Sequence, residues 1–222
     1  GNGVTNYASQ GHNVVSLMKA TKTMRFPVVS QLEEYWEELR GNRSVPARSE
    51  VDPRRIETAL EFAFILERIA PGVARFRLAG MHLNDVMGME VRGMPLTSLF
   101  VPEARKAVSD TLEGVFAEPH CATLTLAGER GIGKPPLDGQ LLLLPLKSDF
   151  GDITRVLGCL VTMGPIGRVP RRFELREKKI TTIRNVRPGR PAAGRGWIGL
   201  TPRNAFVTTD VRITSLVPAW LF

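Results

Sequence analysis

Near Phe62 the rhythm of apolar side chains changes, and that change constrains the fold more than any other feature of the chain. Upstream, Leu32, Tyr35, Trp36 and Leu39 fall at i, i+3, i+4 and i+7, the spacing of one helix face. From Phe62 onward the period is two. Phe62, Phe64 and Leu66 alternate with Ala63, Ile65 and Glu67, and after Pro71-Gly72 the residues Phe76 and Leu78 alternate with Arg75, Arg77 and Ala79. Alternation on both sides of a Pro-Gly turn predicts a β-hairpin. Three further strands are expected at 120–127, 140–147 and 154–163. Between the two groups, 81–100 is dense in short helical pieces and glycines. Pro102 then opens a longer helix with Ala104, Val108, Thr111, Leu112 and Val115 as its buried stripe. Two strands, a helical insert and three strands predict an α+β fold: an antiparallel sheet of about five strands with short helices on one face.

Local signals place the flanking elements. Ser30 and Glu33 have capping-box spacing and predict a helix over 30–40, closed by Gly41. Asp52-Pro53 predicts a second helix start, with Ile56, Ala59 and Leu60 on its inner face. Residues 1–29 read as a leader, flexible or a short helix, and 30–165 as the folded domain. Residues 166–222 read as a basic tail rich in Pro and Gly and partly ordered, in which 174–183 is a candidate helix or strand. That tail holds twelve of the thirty Lys and Arg but three of the twenty-two Asp and Glu, so the net charge of +8 belongs to it.

Hydrophobic residues make up 43% of the chain, enough for a real core, which argues against global disorder. No apolar run approaches the ~20 residues of a membrane helix, and no basic patch leads into an apolar stretch. A cytoplasmic location without membrane contact is therefore expected. Cys121 and Cys159 both lie in strand-like apolar runs. They are expected to be buried free thiols, a disulfide being the alternative, and without a C-x-x-C they give no zinc signature.

Several residue groups carry a family resemblance. The opening W-E-E-L-R-G-N-R-S-V-P-A-R over 36–48, then Asp52-Pro53, then R-F-R-L-A-G over 75–80 and G-M-E-V-R-G-M-P-L over 88–96, resemble a PAS-like family of short alphaproteobacterial signalling and regulatory proteins. The match spans about 32–165. The resemblance implies a PAS-type sensory domain in bacterial signal transduction, without catalysis, that binds a small ligand, a protein partner or both. A pure interaction adaptor without a ligand is the alternative, as is a basic tail that binds nucleic acid or an anionic messenger. A signalling partner is expected and a homodimer is possible; nucleic acid is not the favoured partner. No catalytic residue, metal site or cofactor is assigned, and the identity of any small ligand is open.

In that fold a cavity is expected between the sheet and the helical insert. Its expected lining is Met81, His82, Val86, Met89, Leu96, Leu99, Phe100, Leu112, Phe116, Leu124 and Leu144, with the methionines able to adapt to different shapes. His82 also reads as a hydrogen-bonded structural histidine. Leu32, Tyr35, Trp36 and Leu39 on the first helix are expected either to cover the sheet or to form a dimer contact.

Other motifs mislead. G-E-R-G-I-G-K at 128–134 fits a phosphate loop, but Pro135-Pro136 and another strand follow where a helix is required, so a hairpin loop is expected. G-R-G-W-I-G at 194–199 lacks the strand before and the helix after that a dinucleotide site needs. S-L-M-K at 16–19 lacks its supporting triplets. The three histidines, His12, His82 and His120, have no ligand spacing with one another. Arg75 and Arg77 read as solvated or paired across the sheet, one of them bridging toward Asp52, with partner contact as the alternative. Arg171, Arg172, Arg176, Lys178, Lys179 and Arg184 form a cationic cluster suited to an acidic partner or to phosphate.

Overall fold

A computed structural model describes residues 26–184. Helix α1 spans Pro27–Arg40, three residues earlier than the capping-box spacing predicts. Ser30 lies inside it; Pro27 sits in the first turn, where its missing N–H is no loss. The earlier start brings Val29 into line with Leu32 and Trp36 on the buried face. Gly41, at φ 54°, stops the helix as expected. Asp52 caps the next segment, its side chain accepting from the Arg54 N–H at 3.0 Å. Pro53–Ala59 is 3₁₀ rather than α, kinked at Ile56, so Leu60 ends 40% exposed instead of buried.

Strands β1 (Ala63–Ala70) and β2 (Val73–Ala79) form the expected hairpin. The insert holds α2 (Met81–Met87), a 3₁₀ turn at Leu96–Leu99 and α3 (Pro102–Ala117). Strands β3 (His120–Gly128), β4 (Asp138–Lys147), β5 (Ile153–Met163) and β6 (Phe173–Thr182) complete one sheet, ordered β2-β1-β5-β4-β3-β6, with every neighbouring pair antiparallel. The α+β antiparallel arrangement is the expected one, with six strands where about five were expected. β6 comes from the segment read as a tail. It lies on the edge beside β3, and of its ten residues Phe173 alone is buried, so its sequence shows little alternation.

The first hairpin and the last strands meet at β1 and β5, where Phe64 faces Gly158 and Ile65 faces Leu157. One sheet face carries the insert over Phe64, Leu66, Phe76, Leu124, Leu141, Leu143 and Leu160. The opposite face carries α1 and the 3₁₀ segment over Ile65, Leu142, Leu144, Leu146, Leu157 and Cys159. Burial on both faces explains the unbroken run of leucines in β4, which a half-exposed strand would not tolerate. Trp36 is fully buried and donates from Nε1 to the Pro145 carbonyl at 2.8 Å, pinning α1 to β4.

Candidate functional site

The insert is built on short helices whose apolar residues point at the sheet. In α2, Leu83, Val86 and Met87 fall at i, i+3 and i+4 and are all fully buried. Gly88 closes the helix in the left-handed region, and the Asn84 side chain accepts from the Val91 N–H at 3.0 Å, folding the following loop back. Leu96, Leu99 and Phe100 then turn inward, followed by Val108, Leu112, Val115 and Phe116 of α3.

Of the eleven residues expected to line a cavity, the structure brings together Val86, Leu96, Leu99, Phe100, Leu112, Phe116 and Leu124. Six of these seven are at most 1% exposed, so they meet as packed core. Met81 and Met89 are not with them. They are 63% and 45% exposed, because Met81 lies off the inward face of α2 and Met89 lies in the loop beyond its Gly88 cap. Leu144 is not with them either: it lies on the other face of the sheet, against α1, since β4 alternates and Leu141 and Leu143 take the insert side. Leu83, Met87 and Val91 join the cluster without having been singled out. The helical spacing of Leu83, Val86 and Met87 is the signal that would have found the first two.

His82 stands at the rim, half-buried. Its Nε2 is hydrogen-bonded to the Thr162 hydroxyl at 2.8 Å, and its ring meets Phe62 edge-on at 5.0 Å. Burial pushes its pKa below the usual 6.5, against the opposing pull of Glu61 and Asp85. It therefore ties the first turn of α2 to β5 as a neutral ring. At the far end Glu113 of α3 accepts from Arg68 at 2.7 Å and from the Gly72 N–H at 2.8 Å.

Leu32, Tyr35 and Trp36 are buried against this chain's own sheet, with Leu39 packed beside them. Of the two roles expected for this helix face, covering the sheet is the one the structure has. Cys121 and Cys159 are free and buried, and desolvation pushes both thiols up to about 12. They are protonated members of the core rather than nucleophiles. His120 binds the Glu118 carbonyl through Nδ1 at 2.8 Å, its ring lying against Gly114 of α3.

The charged residues sort differently from the sequence reading. Arg77 pairs with Glu67 across the hairpin, and Asp52 with Arg54, so no bridge joins them. Arg171, counted in the cationic cluster, is fully buried; its guanidinium donates to the carbonyls of Ile166, Glu129 and Pro135, and burial lowers its pKa. Arg176, Lys178 and Lys179 do lie exposed, on β6. The 128–134 motif is a hairpin loop, its Lys134 held by Glu129 at 2.9 Å, and β4 rather than a helix follows. His12 and the motifs at 16–19 and 194–199 lie outside the described residues. Among the described residues no cluster of three or more His, Cys, Asp or Glu could hold a metal, and no helix is long and apolar enough to cross a membrane.

Comparison with known proteins gives a family match over residues 24–161, to the model described as a PAS domain. No curated protein matches the chain. Among solved structures, the light-state blue-light photoreceptor Aureochrome1 LOV is 15% identical, covering 50% of this chain and 88% of its own, at a TM-score of 0.38. A light-oxygen-voltage domain studied with a flavin analogue is 22% identical, covering 50% of this chain and 83% of its own, at 0.39.

Proposed function

The chain belongs to the PAS domain family through residues 24–161, and from that membership we propose that it is a non-catalytic sensory module of bacterial signal transduction. It works by binding a small molecule, a protein partner or both, in the cytoplasm. The responsive element is the insert. The observation that carries this reading is how α2, the Leu96–Leu99 turn and α3 rest on the sheet. They rest on it mainly through apolar packing, with side-chain hydrogen bonds between His82 and Thr162, Arg68 and Glu113, and Ser109 and the Gly72 carbonyl. Main-chain bonds also run from the Phe76 N–H to Met94, the Gly93 N–H to Phe76 and the Val101 N–H to Phe173. Packing is non-directional, so a shift of the insert loosens only these few main-chain links to β2 and β6 while the six strands stay paired with one another.

A small molecule that prefers a shifted insert would move the population toward it. It would lodge among Val86, Leu96, Leu99, Phe100, Leu112, Phe116 and Leu124, with His82 at the rim and Met87 re-packing around it. Met81 and Met89 stand on the outer surface of the same insert, where a partner would read the change. Native mass spectrometry of the chain after exposure to cell-extracted small molecules tests this. The expected result is a retained adduct; a ligand-free mass in every preparation would end the ligand-sensing version.

One observation favours a second reading, an adaptor without a ligand. The insert core is already filled, with Val86, Leu112 and Leu124 at 0% exposure. An adaptor holds its partner whatever small molecules are present, whereas a sensor's pulldown changes with them. The basic segment as a nucleic-acid or anionic-messenger site is a third reading; binding that weakens steeply with salt and is lost when the exposed Arg176, Lys178 and Lys179 of β6 are replaced by Gln would select it.

A further inference from the structure

We propose that the sheet face opposite the insert carries a second site, a groove that takes a single-chain amphiphilic anion, its tail on Leu60, Leu78 and Leu157 and its carboxylate or phosphate head among four arginines. The groove exists because α1 covers only part of that face. Its buried stripe lies over β4 and β5, and the chain then turns away through Arg48–Glu50 and Pro53–Ala59. The β1–β2 end is left open, with Leu78 53% and Leu60 40% exposed.

Two bays adjoin there. The first, about 410 Å³, is lined chiefly by Val51, Ile56, Leu60, Ile65, Leu78 and Leu157, an apolar surface. The second, about 360 Å³, shares Arg48, Ile65 and Leu78 with the first. Its other walls are Arg77, Arg92 and Arg155, with Glu67 and Asp149 as the acids. Bays of this size match small-molecule sites. The tail therefore enters the first bay and the head the second, across one shared rim.

Charge selects the head. Four arginines face two carboxylates, a local excess of two positive charges. Glu67 is engaged by both Arg77 and Arg155, the latter at 3.3 Å, and this holds two guanidinium groups in place. The side chains of Arg48 and Arg92 have no hydrogen-bond or ion-pair partner among the described residues. Free guanidinium forks beside an ordered pair suit a carboxylate or phosphate and disfavour an ammonium. An adjoining apolar bay disfavours a bare inorganic anion, which would leave that surface wet.

Arg92 comes from the turn after α2 in the insert, whereas Arg48 and Leu78 lie outside the insert, so variants at those two positions test the site without disturbing the proposed sensory core. The experiment is titration calorimetry of the full chain with dodecanoate below its micellar concentration. Arg48→Glu and Leu78→Glu are the variants, both at exposed positions, with circular dichroism confirming that each folds. Saturable one-to-one binding is expected, weakened about tenfold or more by either variant, as loss of a charge-assisted contact or of the tail surface requires. Ile132→Glu, in the exposed loop between β3 and β4, is expected to leave it unchanged. The proposal is overturned if no saturable binding is seen, if both variants bind like the original chain, or if dodecyltrimethylammonium or inorganic phosphate binds as tightly. Attachment to phosphatidylglycerol vesicles without uptake of free dodecanoate would also overturn it, in favour of a membrane contact.

Discussion

Gly158 sits where the two halves of the sheet meet, and a single carbon added there would find no room. A Cβ at this position would lie 2.3 Å from the Leu142 carbonyl oxygen and 2.5 Å from the Phe64 ring. Neither neighbour is free to move, one being backbone and the other a fully packed aromatic. Gly158→Ala is therefore expected to lower stability by about 1–3 kcal/mol, read as a fall in the urea midpoint at unchanged slope. His82 makes a different kind of prediction. Burial disfavours its imidazolium, so below 6.5 the unfolded chain binds more protons than the folded one. Stability contributed by the neutral ring is present above that pH and is lost as the pH falls through the lower folded value. The melting temperature of the original chain should thus drop more steeply on acidification than that of His82→Gln; parallel curves would show that His82 titrates alike in both states.

At the scale of elements, α1 is held by one deep anchor. Trp36 fills the space between the helix and β4 and satisfies the Pro145 carbonyl. Trp36→Ala is expected to cost about 3–5 kcal/mol in a denaturation experiment, and Trp36→Phe less, because most of the ring is kept. The pattern of Leu32, Tyr35 and Trp36 made this helix legible in the sequence, and the Pro71-Gly72 turn did the same for the first hairpin. Element boundaries were less legible. Ser30 resembled a cap, yet Pro27 is as good a first-turn residue and Val29 gives it an apolar contact. β6 was hard to read because an exposed edge strand needs no alternation. The candidate lining residues were legible where helical spacing fixed the inward face, as at Val86 and Leu112. They were not legible where residue type alone suggested a pocket, as at Met81 and Met89. The burial of Arg171 had no sequence signal, since its acceptors are main-chain carbonyls that any residue supplies. The outer groove was hidden for a related reason: Arg48, Arg77, Arg92 and Arg155 come together only when the sheet is assembled.

The whole molecule, within the described residues, is a sheet covered unequally on its two faces. The insert closes one face with a continuous apolar core, while α1 and the 3₁₀ segment close most of the other. On the proposed reading the sheet is the fixed frame and the insert the layer that shifts, loosening its main-chain links to Phe76 of β2 and Phe173 of β6 while the six strands stay paired. Stability and response are then assigned to different parts, the ladder to the first and the 81–117 layer to the second. Hydrogen exchange of the full chain, with and without the cell-extracted small-molecule fraction, tests that division most directly. The expected result is a change in amide protection concentrated in 81–117, with β1, β4 and β5 unaffected. Unchanged protection of 81–117 in every fraction, or a change spread evenly over the strands, would contradict it.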